Sequence, residues 1–300
     1  CKYLKNLNVS QFKTNKVTNM KGMFYYCFSL REIDLSNFDT TSVTDMSYMF
    51  NYCNSVLKLD LSKFNTENVI TMYSMFAFSQ YLLNLDLSSF KTPKLESSSR
   101  MFDNRIRLET LNIDNMDVSS ALDLSYMFNE CNRLSELNLK NFRTTLAVDL
   151  SYLFANNYKL KSLDLSQFHT ENVFDMSYMF KGSEQLESID LSSFNTENVE
   201  DMSYMFSDCK KLKELDLSYF KTEKLEKMNR MFSSCISLES LKLDKFNTVK
   251  IKDMSHLFEN CASLISLDLS SFDASSVTNM SYMFSNCENL EDLNIKNLNT

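Results

Sequence analysis

A 26-residue repeat runs through the whole chain without an insertion or a deletion. One phenylalanine column marks it, each member 26 residues after the last: Phe24, Phe50, Phe76, Phe102, Phe128, Phe154, Phe180, Phe206, Phe232, Phe258 and Phe284. A single repeat is too short to bury a core alone, because ordering the backbone costs about 1 to 2 kcal/mol per residue. The repeat therefore predicts a solenoid in which equivalent side chains touch the repeats before and after them.

The first half of the repeat, numbered from Cys1, has the period of a β-strand. Positions 4 to 10 read LKELDLS at 212–218, where positions 7, 8 and 9 alternate apolar, polar and apolar. This alternation is typical of a short strand with one buried face. Stacking predicts that these strands pair into a parallel sheet.

The second half has a spacing closer to that of a helix. DMSYMF occurs at 45–50, 175–180 and 201–206, and its methionines and phenylalanine fall near one helical stripe. Asp201 precedes the stripe as a candidate N-cap. We therefore expect a short helical turn whose Met and Phe side chains enter the core. The corners between the halves, such as FNTENV at 64–69 and 194–199, are expected to rely on Asn, Asp, Ser and Thr bonding to their own backbone.

These elements predict one domain over residues 1–300 with about eleven and a half repeats. The expected fold class is an α/β repeat solenoid, a horseshoe or arc with a parallel sheet on the concave face and short helical turns on the convex face. Neither end carries an atypical polar repeat, so we expect the chain to be a segment of a longer protein.

Composition argues against several classes of function. The net charge of −8 disfavours nucleic acid as a partner, and no apolar run approaches the length of a membrane span, so this segment is not expected to insert into a membrane. The two histidines occupy different repeat positions, and the two glycines are isolated. These counts predict neither a multi-histidine metal site nor a phosphate-binding loop. We expect no enzyme activity and no cofactor.

All eight cysteines fall at position 1 of the repeat: Cys1, Cys27, Cys53, Cys131, Cys209, Cys235, Cys261 and Cys287. We interpret this column as a ladder of small, buried, reduced side chains. Pairing of neighbouring rungs remains an alternative, since adjacent cysteines would lie within disulfide range. Ser79, Arg105, Asn157 and Ser183 stand in the same column, so the fold does not require cysteine there.

An acidic stripe is expected at position 8, which points away from the core between two buried residues. Its members are the candidate partner-binding residues Asp34, Asp60, Asp86, Asp164, Asp190, Asp216 and Asp268. Three interpretations are open: a solvated surface, contact with a basic or polar protein, and calcium bridging between carboxylates.

Two irregular repeats gather basic residues on this acidic chain. KTPKLESSSRMF at 91–102 and KTEKLEKMNRMF at 221–232 share a motif five repeats apart. Their candidate basic patches comprise Lys91, Lys94, Arg100, Arg105, Arg107, Lys221, Lys224, Lys227 and Arg230. The motif reflects either a duplicated block or a surface for an anionic partner such as a glycan.

The combined pattern LDLSSFNTENVEDMSYMFSDC at 189–209 resembles the repeat of BspA-like leucine-rich-repeat surface proteins. The resemblance covers the whole chain and implies a secreted or surface-anchored protein that binds a host protein, a matrix protein or a cell-surface glycan. A second phenylalanine column, at position 12 of the repeat, includes Phe12, Phe38 and Phe64. It stands where common leucine-rich repeats have Asn or Cys. A structural spacer is the alternative function. Varied outward residues at position 6, such as Asn6, Glu32 and Lys58, favour binding over a spacer.

Overall fold

The computed structural model describes residues 1–296 and 298, and each repeat forms one rung of a stack. Rung 1 is residues 1–26, and each later rung starts 26 residues further on. Within the described residues six strands form, β1 to β6 in chain order: Asn84–Asp86, Thr110–Asn112, Glu214–Asp216, Ser240–Lys242, Ser266–Asp268 and Asp292–Asn294. They pair in parallel as β1 with β2, β3 with β4 and β5 with β6. Leu85 lies opposite Leu111, the residue one repeat later.

We call the side of the stack that carries these strands the strand face. Its pairing is uneven from rung to rung. The N–H of Glu109 donates to the Leu83 carbonyl at 2.8 Å, whereas the equivalent bond from Arg31 to Lys5 measures 3.5 Å. Parallel pairing is therefore confirmed, but the regular sheet is interrupted rather than continuous.

The opposite side, which we call the turn face, contains no helix among the described residues. The prediction of helical turns is therefore wrong. N–H groups at positions 20, 22, 24 and 26 instead donate to carbonyls of the next rung, as in Tyr48 to Tyr73 and Phe50 to Met75, both at 2.9 Å. Those at positions 23 and 25 bond within the rung, as in Met49 to Met46 at 3.2 Å, and position 1 of the next rung donates to position 24, as in Cys27 to Phe24 at 3.1 Å. The turn face is a second hydrogen-bonded ladder.

Backbone conformation explains why this segment cannot be helical. Positions 22 and 26 adopt positive φ near +60° along the stack, with Tyr48 at 58° and Tyr52 at 57°. The bonds from Met49 to Met46 and from Cys53 to Phe50 place Tyr48 and Tyr52 at the third position of a turn, where a type II turn has positive φ. A left-handed residue costs an L-amino acid about 1 to 2 kcal/mol. The ladder offsets this cost because alternate N–H groups then point along the stack.

Direct bonding on both faces also limits curvature. Rungs built from helices must stand about 10 Å apart on the helical side, whereas hydrogen-bonded rungs approach to about 4.8 Å. Since both faces here are joined by direct hydrogen bonds, the usual reason for a strongly curved horseshoe is missing.

The core lies between the two faces and confirms the inward placement of the Met and Phe columns. The phenylalanines of position 24 stack along the whole molecule, with consecutive ring centroids 5.4 to 6.0 Å apart. Met46, Met49 and Met205 are fully buried beside them. Repetition of one large side chain thus packs each rung against both neighbours.

The cysteine column has a hydrogen-bonding role that its sequence does not reveal. Cys53 Sγ donates to the Phe24 carbonyl at 3.1 Å, and Cys235 Sγ donates to the Phe206 carbonyl, also at 3.1 Å. Where cysteine is replaced, Ser183 Oγ and Asn157 Nδ2 donate to the equivalent carbonyls. The column therefore requires a side-chain donor, and several residue types provide one.

Arg105 fills the same column with a fully buried guanidinium. Its Nη1 donates to the Phe76 carbonyl at 3.2 Å and its Nη2 to the Leu82 carbonyl at 2.7 Å, while Nε has no partner. Burial lowers the pKa of Arg105 to about 10. Because Arg105 is 0% exposed, its assignment to a surface basic patch is wrong.

A buried threonine column at position 14 joins the corners of successive rungs. Thr144 Oγ1 donates to the His169 carbonyl at 2.6 Å and accepts the His169 N–H at 3.0 Å. The same pair of bonds joins three other threonines to the residue 25 positions later: Thr40, Thr170 and Thr248. Within residues 1–296, every threonine of this column is at most 5% exposed. The corners also contain the expected side-chain turns, since the Glu67 N–H donates to Asn65 Oδ1.

We predict that Thr144→Val destabilises the protein by about 1 to 3 kcal/mol, because it leaves both backbone groups of His169 without a buried partner. Urea unfolding followed by circular dichroism measures the change. Thr145→Val is the matched control, since Thr145 is exposed and the change there should stay within about 0.5 kcal/mol. Equal effects at the two positions would contradict a structural role for the threonine column.

We predict that Cys1 alone reacts quickly with a thiol reagent in the folded protein. Cys1 is exposed, six other cysteines are buried and Cys287 is half-buried. Burial raises the pKa of Cys53 and of Cys131 to about 12, so the reactive thiolate is scarce at neutral pH. Peptide mapping after alkylation, before and after unfolding without reductant, measures each site. Recovery of fewer than six alkylated cysteines after unfolding would show that rungs are cross-linked.

Candidate functional site

The acidic stripe lies on the strand face as expected, but its carboxylates also have a structural role. Each aspartate accepts through Oδ1 the N–H of the residue two positions later, as in Asp34 with Ser36 at 2.9 Å. The bond recurs at the other six candidates: Asp60, Asp86, Asp164, Asp190, Asp216 and Asp268. This Asx turn ends the strand segment in each of these seven rungs, so the recurrence of aspartate at position 8 has a structural cause.

These turns also keep the stripe charged. Hydrogen bonds from the serine two residues later lower the pKa of Asp34, Asp60, Asp164, Asp190 and Asp268. A hydrogen bond donated to the ionised carboxylate stabilises that form, and it therefore lowers the pKa of the carboxyl group.

One member of the stripe already holds a cation. Lys242 replaces the aspartate of position 8 in rung 10, and its Nζ lies 2.8 Å from Asp216 Oδ2. Hydrogen bonds from Lys242 and Ser218 lower the pKa of Asp216 to about 2. This pair shows that an ammonium group can bind the outer oxygen while Oδ1 stays in its turn.

Three of the seven candidate aspartates line grooves on the strand face, and the other four do not. A groove of about 740 Å³ lies on the strand face of rungs 1 to 3 and is lined in part by Asp34 and Asp60. Another of about 710 Å³ continues through rungs 3 to 5 and includes Asp86. Both are lined by Leu57 and Lys58. We call them together the strand-face groove. The remaining four candidates line neither of its two parts.

The strand-face groove also exposes apolar side chains that sequence reasoning missed. Leu57 is 57% exposed and Tyr81 is 48% exposed, and both line the groove together with Leu83. The available signal was position 5, where Leu57 and Leu83 stand in a column that is charged in most other rungs. Apolar groups held open to water are typical of a contact surface.

Four of the nine residues in the candidate basic patches form salt bridges. Arg100 pairs with Asp103 at 2.8 Å, Lys227 with Asp201 at 3.0 Å, and Lys221 with Glu197 at 3.1 Å. Arg230 lies 3.4 Å from Glu259. Arg105 is buried, so these contacts reduce the positive charge that the patches offer to an anionic ligand.

A row of aromatic rings follows position 22 on the turn face between two of these arginines. Tyr126, Tyr152, Tyr178 and Tyr204 stack with centroids 4.1 to 4.4 Å apart. Arg100 Cζ lies 3.8 Å from the Tyr126 centroid. Burial raises the pKa of Tyr152 and of Tyr178. Stacking and cation–π contact help to hold this left-handed position in place.

Over residues 1–296 and 298, no three His, Cys, Asp or Glu side chains lie close enough together to hold a metal ion. The same residues include no helix with the length and apolar character of a membrane span.

We predict that Lys242→Met raises the pKa of Asp216 from about 2 toward that of the other turn aspartates, because the ammonium bond is its largest cause. A carboxyl group whose pKa is lower in the folded than in the unfolded state stabilises the fold at pH values above its unfolded pKa. This stabilisation is lost as the pH falls through the folded pKa. Carboxyl NMR titration measures the shift. Asp190, which also forms the turn but has no salt bridge in the structure, is the internal control. An unchanged Asp216 titration would contradict the assigned pair.

Comparison with solved structures finds repeat proteins of bacterial origin. The chain is similar to a leucine-rich repeat protein from Bacteroides ovatus, at 16% identity and a TM-score of 0.44 over 94% of this chain and 73% of that one. A leucine rich cell surface protein from Faecalibacterium prausnitzii matches at 14% identity and 0.38, over 94% and 77%. A leucine-rich repeat protein from Eubacterium ventriosum matches at 15% and 0.42, over 90% and 80%. A search of curated proteins found no match.

One sequence family accounts for the whole chain. It is described as "Mycoplasma protein of unknown function, DUF285", and it matches residues 1–110, 78–164, 122–241 and 235–300. These overlapping matches follow the 26-residue repeat from one end to the other. The chain therefore belongs to this family.

Proposed function

We propose that this protein is a non-enzymatic binding module that recognises another macromolecule through the strand-face groove. The observation that carries the proposal is the exposure of Leu57 and Tyr81 in a groove whose backbone is fixed by neighbouring rungs. Such side chains are costly to leave in water, about 25 cal/mol per Å² of apolar surface. They lower that cost when a partner covers them.

The charge of the groove defines the kind of partner. Glu32, Asp34, Asp60 and Asp86 line it, against one basic residue, Lys58. A protein surface with lysine or arginine beside aliphatic or aromatic side chains has the complementary pattern. The bond between Lys242 and Asp216 shows the contact such a cation would make. A host or matrix protein fits this chemistry better than an anionic glycan, because four acidic residues and one basic residue line the groove.

Rigidity supports binding by this surface. The carboxylates are held by Asx turns, and Tyr81 is covered on one side by the Arg107 guanidinium, 4.8 Å from its ring centroid. Groups that are already ordered lose less conformational entropy when a partner docks. Display at the cell surface or in secreted form belongs to the same proposal and is supported by the family resemblance.

A structural spacer is the rival function, and regularity of the turn face favours it. The turn-face ladder is built alike in rung after rung, which suits an extended element that presents another domain. A spacer requires no exposed apolar groove in rungs 1 to 5, however. The two functions are separated by whether binding depends on groove residues.

We predict that Leu57→Glu with Tyr81→Ser reduces adhesion at least about tenfold, since buried interface aromatics commonly contribute 2 kcal/mol or more. The whole chain, coupled to inert beads, is measured against arrays of purified extracellular proteins and of glycans. Ile265→Ser is the matched control, because Ile265 occupies the same column in rung 11 and is 55% exposed.

Loss of protein binding in the groove variant, with retention in the control, supports the proposal. Equal binding by all three proteins would overturn the groove as the site. Binding to glycans alone, unaffected by the groove changes, would overturn the assigned partner class.

A further inference from the structure

The strand-face groove has two unlike edges that run side by side along the axis of the stack. The acidic edge, at position 8 of rungs 2 to 4, consists of Asp34, Asp60 and Asp86. The apolar edge, at positions 3 and 5 of rungs 3 and 4, consists of Leu57, Tyr81 and Leu83. A ligand that follows the groove therefore meets carboxylates on one flank and apolar side chains on the other.

The distance between the two edges matches the width of a helix. A strand advances about 3.3 Å per residue, so positions 5 and 8 lie about 10 Å apart across the groove. An α-helix with its side chains is about 10 to 12 Å in diameter. A helix that lies along the stack axis therefore contacts both edges at once.

Spacing along the stack distinguishes a helix from an extended chain. Neighbouring rungs stand about 4.8 Å apart, so the second and third carboxylates lie about 5 and 10 Å from the first. Helix residues i+3 and i+7 share a stripe with residue i and rise from it by about 4.5 and 10.5 Å. Side chains on one flank of an extended chain recur about every 6.7 Å and are roughly 4 Å out of step at the third carboxylate. A helix therefore places one cation beside each carboxylate.

The carboxylates of the acidic edge are available to such cations. Within the described residues, none of Asp34, Asp60 and Asp86 forms a salt bridge. Hydrogen bonds from Ser36 lower the pKa of Asp34, while the charge of Asp60 acts in the opposite direction. The two carboxylates thus repel each other, and a ligand ammonium group between them relieves that repulsion.

We propose that the strand-face groove binds an α-helix of the partner, with lysine or arginine at i, i+3 and i+7 against the acidic edge and aliphatic or aromatic residues against the apolar edge. This inference rests on the proposed binding function and adds the conformation and charge pattern of the ligand. Four steps between rungs 1 and 5 span about 19 Å, the length of about 13 helical residues. The bound segment is therefore a basic amphipathic helix of three to four turns.

Two synthetic peptides with the same lysine and leucine content test this inference. The first has lysines at i, i+3 and i+7 and leucines on the opposite flank, and a side-chain staple holds it helical. The second alternates lysine and leucine, which is the pattern of an extended chain. Calorimetric titration into the whole chain should show that the helical peptide binds at least about tenfold more tightly, because its cations match the rungs and its backbone is already ordered.

Asparagine substitutions separate the charge of the groove from its fold. Asparagine forms the same turn at position 8 in other rungs, where Asn8 and Asn112 accept the N–H two residues later. The groove variant combines Asp34→Asn, Asp60→Asn and Asp86→Asn. It should bind the helical peptide at least about tenfold more weakly than the wild type. The matched control makes the same change in three turn aspartates outside the groove and should bind like the wild type: Asp164→Asn, Asp190→Asn and Asp268→Asn.

Each failure of these experiments has a distinct meaning. Absence of helical-peptide binding, or equal binding of the two peptides, would overturn the helical ligand. Equal loss of binding in the groove variant and its control would also overturn it, since attraction by net charge alone would then explain the result. None of these outcomes decides the proposed function, which depends on the binding of whole proteins by the variant with Leu57→Glu and Tyr81→Ser.

Discussion

Hydrogen bonds between residues one repeat apart are the constraint on which the rest of this structure depends. On the turn face, alternate N–H groups must point along the stack to reach the next rung, and this requirement forces positions 22 and 26 to positive φ. In the corners, buried threonines such as Thr144 bridge the same interval through one hydroxyl. Because every rung must present its donors and acceptors at matching heights, an insertion or a deletion of one residue would break all ladders together.

The same constraint explains which substitutions the core accepts. Position 1 takes Cys, Ser, Asn or Arg because each donates a hydrogen bond to the phenylalanine carbonyl 29 residues before it. Ser98, which replaces a core methionine in rung 4, remains fully buried with its Oγ 3.4 Å from Met127 Sδ. Arg105 is the costlier exception, since its buried charge has two carbonyl partners but no carboxylate, and a buried charge without a counterion is strongly penalised.

Uniform and varied outward positions have different meanings in such a stack. Aspartate recurs at position 8 because it closes an Asx turn in each rung that has it, so the stripe alone does not mark a ligand site. The groups that distinguish one rung from another are side chains that point away from the core, such as Leu57 in the strand-face groove. A rigid backbone whose outward side chains vary can thus present a recognition surface.

From the sequence alone, the 26-residue period determined the stack, its parallel pairing and the inward Met and Phe columns, because equivalent side chains must meet when identical rungs repeat. The tertiary structure decided the turn face. DMSYMF has spacing close to that of a helix, but neighbouring rungs supply acceptors that an isolated segment lacks, and these favour left-handed turns over a helix. It also decided that Arg105 is buried and that Leu57, Tyr81 and Asp60 line one groove. Such groupings depend on distances between rungs, which no single repeat specifies.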